Sequence, residues 1–319
     1  MGSSSSKVPN AKTVTTSQQE VEPDAQCSVP EPEARDDSFS FLLDNLELSS
    51  VSDEQLAELF STAPIIHHYG AVKIVRLSKT LALKGGRGVA PSEARNMKFV
   101  TENLSLSAPK VYRDFAADVP GPFDEGLVTG HFIVMDYISG PTVQECWESL
   151  DVHQRQSAAD QVASMVNTMQ SRPLDLPSGP VGATGDLCFE GPWFTEDGAG
   201  PFPTLKDLED WCNHKVDISI LFKDIPSDSP RFKFEQLVFT HQDIAPRNNI
   251  LDVQGKVWMI DWGLAGAYPP GFEQAILHRE AKSDKELAQM VLARLSDRQE
   301  HVSRQYESIA FGLSRGAHL

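Results

Sequence analysis

Hydrophobic and polar residues follow distinct rhythms along this chain. From Gly2 to about Asp37, Ser, Thr, Gln, Glu and Pro dominate and large apolar residues are nearly absent. Such a segment buries too little to offset the entropy of ordering, so residues 1–37 are expected to form a disordered tail. A helical pattern follows at Ser52–Phe60. Short apolar runs then predict strands: a hairpin around Gly70-Ala71-Val72 and Lys73–Leu77, a strand Leu81-Ala82-Leu83-Lys84, and another over His131–Tyr137. Between the last two, Pro91-Ser92-Glu93 opens a helix that continues through Ala94, Met97 and Val100. Longer helical patterns cover Val143–Met169, Leu205–Phe222 and Phe272 onwards, where Leu287, Met290, Val291 and Leu295 recur as a core stripe. The Gly- and Pro-rich stretch Pro173–Pro203 carries Phe189, Trp193 and Phe202 and is predicted to be an ordered loop packed by its aromatics. No internal repeat is present.

One hairpin has chemistry at its open end. Ile250, Leu251 and Val253 lead into Gln254-Gly255, and Val257, Trp258, Met259 and Ile260 lead out. His241-Gln242-Asp243-Ile244-Ala245-Pro246-Arg247-Asn248 precedes the first strand and Asp261-Trp262-Gly263 follows the second. Antiparallel pairing brings Asn248 and Asp261 together beside the loop that carries Asp243. Phosphoryl transfer asks for an acid that orients a hydroxyl and accepts its proton, and for hard oxygen donors that hold magnesium on a triphosphate. Asp243 suits the first task, Asn248 and Asp261 the second. Turn formation around Pro246 and before Gly263 explains each residue singly, but not the ordered set. Upstream, Lys84 ends an apolar strand and Glu93 opens the next helix, the ion pair with which kinase-like folds orient a nucleotide. Glu102 is a second candidate partner for Lys84. A solvated lysine and a carboxylate favoured by the helix dipole are the bland alternative.

The segment Thr240–Pro269 resembles the catalytic core of the aminoglycoside phosphotransferase and choline kinase family, in particular its fungal-type branch of unassigned substrate. That branch shows His-Gly-Asp-Leu-x-Pro-x-Asn followed by Ile-Asp-Trp; here Gln242 replaces the glycine and Ile244 the leucine. Leu83-Lys84, Glu93-Ala94 and Pro109-Lys110-Val111-Tyr112 look like the family's upstream landmarks. The resemblance implies an α+β, two-lobed protein-kinase-like fold. A small antiparallel-sheet N-lobe with one helix spans 38–137, and a larger, mainly helical C-lobe spans 138–319 with the catalytic loop at 240–263. It also implies ATP and Mg2+ as cofactors, a small-molecule hydroxyl as acceptor, and adenine bound by the backbone of the linker at Asp136 and Ile138. A buried strand ending in a turn is the simpler account of those last two.

No Gly-x-Gly-x-x-Gly precedes Lys84, so phosphate contacts there come from fewer backbone amides; Gly85-Gly86-Arg87-Gly88 follows the lysine and reads as a flexible connection into the helix. The absence of Gly-x-x-x-x-Gly-Lys-Ser/Thr removes the P-loop folds. Gln242 stands where protein kinases carry Arg, which argues against activation by loop phosphorylation, and a protein kinase is disfavoured because no Ala-Pro-Glu follows Asp261 and the segment before Tyr268-Pro269-Pro270 is very short. The competing function is a catalytically weak, nucleotide-binding regulatory module, suggested by Gln242 and the glycine-poor phosphate loop.

Composition adds limits. The 319 residues, 40% hydrophobic and 8% aromatic, suit one catalytic domain plus a tail. A formal charge of −17 argues against nucleic acid or an anionic membrane as partner and is compatible with a cationic small substrate. The four cysteines, Cys27, Cys146, Cys188 and Cys212, fall at no metal or redox spacing and read as reduced thiols of a cytoplasmic protein. No apolar run reaches membrane-span length and no signal-peptide pattern opens the chain. Met1-Gly2-Ser3-Ser4-Ser5-Ser6 fits the N-myristoylation pattern, which by itself gives only weak membrane contact through Gly2. Asn103-Leu104-Ser105 matches a glycosylation acceptor, without meaning unless the chain is secreted.

Overall fold

The computed structural model describes residues 30–121, 126–182, 190–282 and 286–317. Gly2, Cys27, Cys188 and Phe189 lie outside them. The first lobe runs α1 (Pro32–Arg35), α2 (Asp53–Thr62), β1 (Ile65–Tyr69), β2 (Val72–Arg76), β3 (Leu81–Gly86), α3 (Glu93–Asn103), β4 (Val111–Pro120) and β5 (Leu127–Asp136). The second runs α4 (Val143–Cys146), α5 (Val152–Gln170), α6 (Leu205–Leu221), β6 (Val238–Thr240), β7 (Asn249–Leu251), β8 (Val257–Met259) and β9 (Gly266–Tyr268). It closes with α7 (Phe272–Lys282), α8 (Glu286–Leu292), α9 (Glu300–Ser308) and α10 (Ala310–Leu313). This is an α+β, two-lobed kinase-like architecture.

The first lobe is built on an antiparallel sheet of order β1-β2-β3-β5-β4. Directly opposed residues in such a sheet share a face, and two rows of them define its sides. Val75, Leu83 and Val134 form one row, buried with Leu56 of α2 and Phe132. His67, Ile74, Lys84 and Ile133 form the other, which turns toward α3 and the second lobe. Ala94, Met97 and Val100 of α3 pack there against Ala82, Ile133 and Met135. Burying each such side chain contributes roughly 1.5–3 kcal/mol. Helix α2 starts at Ser52, whose hydroxyl accepts from the Gln55 amide while the Gln55 side chain accepts from the Ser52 amide.

Residues 30–37, read above as the end of a polar tail, are partly built into the lobe. Ala34 is fully buried and its carbonyl accepts from Arg76 Nη1 at 3.1 Å. Arg76 is itself buried. Its guanidinium also donates to Ser78 O and Asp37, and it lies between the rings of Phe41 (4.4 Å) and Tyr137 (3.8 Å). One side chain therefore ties the 34–41 segment, the β2–β3 turn and the linker between the lobes.

In the second lobe, the helix expected over Val143–Met169 is divided. Thr142 caps α4 with Glu145, a 3-10 turn covers Trp147–Ser149, and Asp151 caps α5 with Gln154. Each box satisfies the first amides of a helix: Thr142 opens α4 at the expected start, and Asp151 restarts the helix where hydrophobic spacing alone reads as continuous. Helix α5 lays Ala158, Ala159, Val162, Ala163 and Val166 into the core. The C-terminal helical pattern likewise resolves into α7 to α10. Leu287, Val291 and Leu295 are core residues with Met290 packed beside them. Trp193 and Phe202 of the Gly- and Pro-rich loop are buried against Trp211, Tyr268, Phe272 and Tyr306.

Candidate active site

The β7–β8 hairpin sets the site. Asn249, Ile250 and Leu251 face Met259, Trp258 and Val257, and its turn is gripped by Gln161 of α5, which donates to Gly255 O and accepts from the Val257 amide. At the open end the Ile260 amide donates to Asn248 O at 2.9 Å. Asn248 and Asp261 are thereby held at the same edge. The Asn248 side-chain amide donates to Asp243 Oδ2 at 2.7 Å and to the Asp243 carbonyl at 2.9 Å, which leaves Asn248 Oδ1 as a further oxygen donor.

Lys84 reaches this edge from the sheet above. Its ammonium donates to Glu93 Oε1 and to Asp261 Oδ1, both at 2.7 Å. Lys84 and Glu93 are buried, whereas the Asp261 side chain is 47% exposed. Burial alone would push the ammonium down, but the two carboxylates outweigh it and hold Lys84 above the ordinary lysine range. The Lys84 charge in turn holds Asp261 below the usual carboxylate range, while burial pushes Glu93 up against the pull of Lys84. Glu102 stands exposed near the end of α3, and the carboxylate partners of Lys84 are Glu93 and Asp261.

The loop between β6 and β7 is held from behind. His241 is buried edge-on to Trp262, with ring centres 4.5 Å apart. Its Nδ1 accepts from the Asp243 amide (3.2 Å), and so its Nε2 donates to Ile260 O (3.0 Å). Burial lowers its pKa, in keeping with a neutral ring that bonds at both nitrogens. Gln242 adopts φ +67°, a left-handed conformation that costs an L residue about 1–2 kcal/mol and glycine almost nothing. Its Nε2 offsets part of that by donating to Leu264 O at 2.6 Å, and its Oε1 lies where a Cβ on Gly191 would stand, 2.7 Å away. The substitution is thus accommodated by a strained backbone and by a glycine opposite.

Three residues of the site were not singled out from the sequence. Glu273, in the first turn of α7, is fully buried and its Oε2 accepts from the His241 amide (2.5 Å) and the Gln242 amide (3.2 Å). Asn96 of α3, also fully buried, donates to Trp262 O (3.0 Å) and Ala265 O (2.8 Å) and accepts from the Val181 amide. Arg247 Nη2 lies 2.6 and 2.7 Å from the two Asp243 oxygens. The i,i+4 spacing of Asp243 and Arg247 was the one available signal; nothing in the pattern marks Glu273 or Asn96.

In the linker, the Asp136 carboxylate accepts from the Lys110 amide and Tyr112 Oη, so its side chain is engaged with β4. The amides of Asp136 and Tyr137 donate to Lys110 O and Thr80 O. The Ile138 amide has no backbone partner among the described residues. Cys146 and Cys212 are free thiols, and among the described residues no helix is long and apolar enough to cross a membrane.

Burial pushes the Glu273 carboxyl up to about 7, against the two amides that favour its charged form and with Asp243 adding to the rise. With the folded value above the unfolded one, the stability that Glu273 contributes is complete below about pH 4.5 and is lost as pH rises through about 7. Glu273→Gln should therefore remove a pH-dependent loss of a few kcal/mol between pH 5 and 8, seen as a flatter urea-unfolding profile than wild type. Glu273→Ala should cost about 2–4 kcal/mol at pH 5, because two buried amides lose their acceptor.

The APH model of the phosphotransferase enzyme family matches residues 84–309, a span that contains Lys84, Glu93, Asn96, Asp243, Asn248, Asp261 and Glu273. No curated protein matches the chain. Among solved structures, an apo thermostable mutant of aminoglycoside phosphotransferase APH(4)-Ia aligns with a TM-score of 0.50 at 16% identity, over 81% of this chain and 88% of that one. The gentamicin complex of APH(2")-IIa aligns with a TM-score of 0.47 at 16% identity, over 81% and 86% of the two chains. At 16% identity the likeness to the APH(4)-Ia structure is one of fold. The family match, which spans well over half of the sequence and holds the whole Lys84–Asp261 site, shows that the chain belongs to the phosphotransferase enzyme family.

Proposed function

We propose that this phosphotransferase moves the γ-phosphoryl group of ATP to a hydroxyl of a small molecule. The observation that carries the reading is the buried Lys84, held between Glu93 and Asp261 at the edge where Asn248 meets Asp243. Lys84 supplies a fixed positive charge for the phosphates, and Glu93 fixes Lys84. The donor set of Asp261 and Asn248, hard oxygens from one carboxylate and one amide, fits magnesium. That ion, shared with the phosphates, would neutralise charge as the terminal phosphoryl group departs. Asp243 orients the acceptor hydroxyl and takes its proton as the new P–O bond forms and the bond to the leaving diphosphate breaks. The Ile138 amide and the Asp136 carbonyl offer the linker's contacts to adenine. The acceptor is a small polar molecule, and the charge of −17 together with the aminoglycosides named for structural neighbours favours a cationic one. Use of ATP is consistent with a cytoplasmic protein.

The clasp of Arg247 on Asp243 and the strained Gln242 favour a second reading, a nucleotide-binding regulatory module with little turnover. Asp243→Asn separates the two. Under the enzyme reading it should slow turnover by about a hundredfold to ten-thousandfold while ATP still binds; an unchanged rate on a verified acceptor would remove Asp243 from the mechanism. Acceptors are found by screening ATP consumption against aminoglycosides, amino alcohols, sugars and amines.

Magnesium is tested by thermal shift. ATP should raise the melting temperature more with magnesium than with EDTA, and Asp261→Ala should abolish the difference. Equal shifts in both conditions would count against Asp261 and Asn248 as ligands.

Lys84→Ala and Glu93→Ala should each weaken ATP use, and the double variant should cost much less than the sum of the two losses, since both remove one interaction. Strict additivity of the measured kcat/KM losses would show that Glu93 does not act through Lys84.

A further inference from the structure

The phosphate-covering hairpin is short of glycine, and the structure shows how its tip is held. The β1–β2 turn, Tyr69-Gly70-Ala71-Val72, presses its Ala71 carbonyl onto the segment after β3. Gly88 donates to that carbonyl at 3.2 Å, and a Cβ on Gly86 would lie 2.1 Å from it. Gly86, at φ +126°, is therefore a point of close backbone approach, and Gly85-Gly86-Arg87-Gly88 anchors the hairpin. A tip tied down in this way has less freedom to wrap successive amides around a triphosphate.

A side chain of β1 shares the face of the sheet that carries Lys84. His67 is the β1 member of the row His67–Ile74–Lys84–Ile133, so it shares with Lys84 the face that overlooks the site. It is exposed on that face. Asp261, Lys84 two strands along the row and Glu145 of α4 in the second lobe all act electrostatically on its imidazole, as does His68 on its own strand. The ring thus looks across the gap between the lobes onto the groups assigned above to the phosphates and the metal.

We propose that His67 is a nucleotide-binding residue that donates a hydrogen bond to the phosphate chain from the roof of the cleft, in place of the amides of a glycine-rich loop. The assignment rests on the ATP reading given above. An imidazole N–H can donate to a phosphate oxygen in either charge state, and the anionic phosphates favour the imidazolium. Desolvation by the surrounding protein lowers the ring's pKa, with Lys84 and His68 adding to that and Asp261 and Glu145 opposing it.

Equilibrium binding of Mg–ATP and of adenosine, measured side by side, tests this. His67→Ala should weaken Mg–ATP binding by about ten- to a hundredfold, the range for a hydrogen bond to a charged group, and leave adenosine binding and melting temperature unchanged. His67→Lys, which keeps a donor and a positive charge, should recover most of the loss. Equal weakening of both ligands would make His67 a structural residue and overturn the assignment, as would wild-type ATP affinity in His67→Ala. If the wild-type protein bound neither ligand, the ATP reading would fall and this role with it; if it bound ATP and only His67→Ala were silent, the His67 role alone would fall.

Discussion

A buried ammonium governs this molecule. Lys84 comes from a strand, Glu93 from a helix and Asp261 from the segment after a hairpin of the other lobe, and they meet within hydrogen-bond distance. Taking a lysine charge out of water costs several kcal/mol unless it is paired. Glu93, from the same lobe, balances the charge, and Asp261 adds a second carboxylate from the other lobe, so the ammonium also ties the two lobes together. The same arrangement suits a polyphosphate, whose oxygens offer Lys84 the negative charge that Asp261 provides without it.

The loop that carries Asp243 depends on a second buried carboxyl. Glu273 receives two successive amides, of His241 and Gln242, at the point where the backbone enters a left-handed turn. His241 then spends both ring nitrogens on backbone groups, and Asn96 fixes the carbonyls that follow Asp261. The result is a site in which the side chains facing the gap are few, and most polar groups behind them hold backbone. Strain at Gln242 is tolerated because these contacts over-determine the turn.

Arg76 shows the same economy at the linker. A guanidinium with no exposed surface would be costly, yet carbonyls of residues 34 and 78 and two aromatic faces take the place of water. Because one of those faces belongs to Tyr137, the segment before α2 takes part in setting the geometry between the lobes.

Much of this was legible in the residues. The hairpin with Asn248 and Asp261 at its open end follows from alternation and a turn dipeptide, since antiparallel pairing leaves only one way to bring the ends together. Glu93 at a helix start follows from an equally local signal; Lys84, read as ending its strand, lies inside β3, which pairs with β5 on through Gly86. Helix limits were less legible where apolar spacing runs on past a cap: Asp151 divides the stretch read as one helix, because a capping box acts on single amides that periodicity does not see. What only the tertiary structure decided were the partners. Glu273, Asn96, Arg76 and His67 carry no mark in the sequence that sets them apart from other polar residues. Their parts are fixed by which backbone groups and charges lose water next to them, and that depends on how distant segments pack.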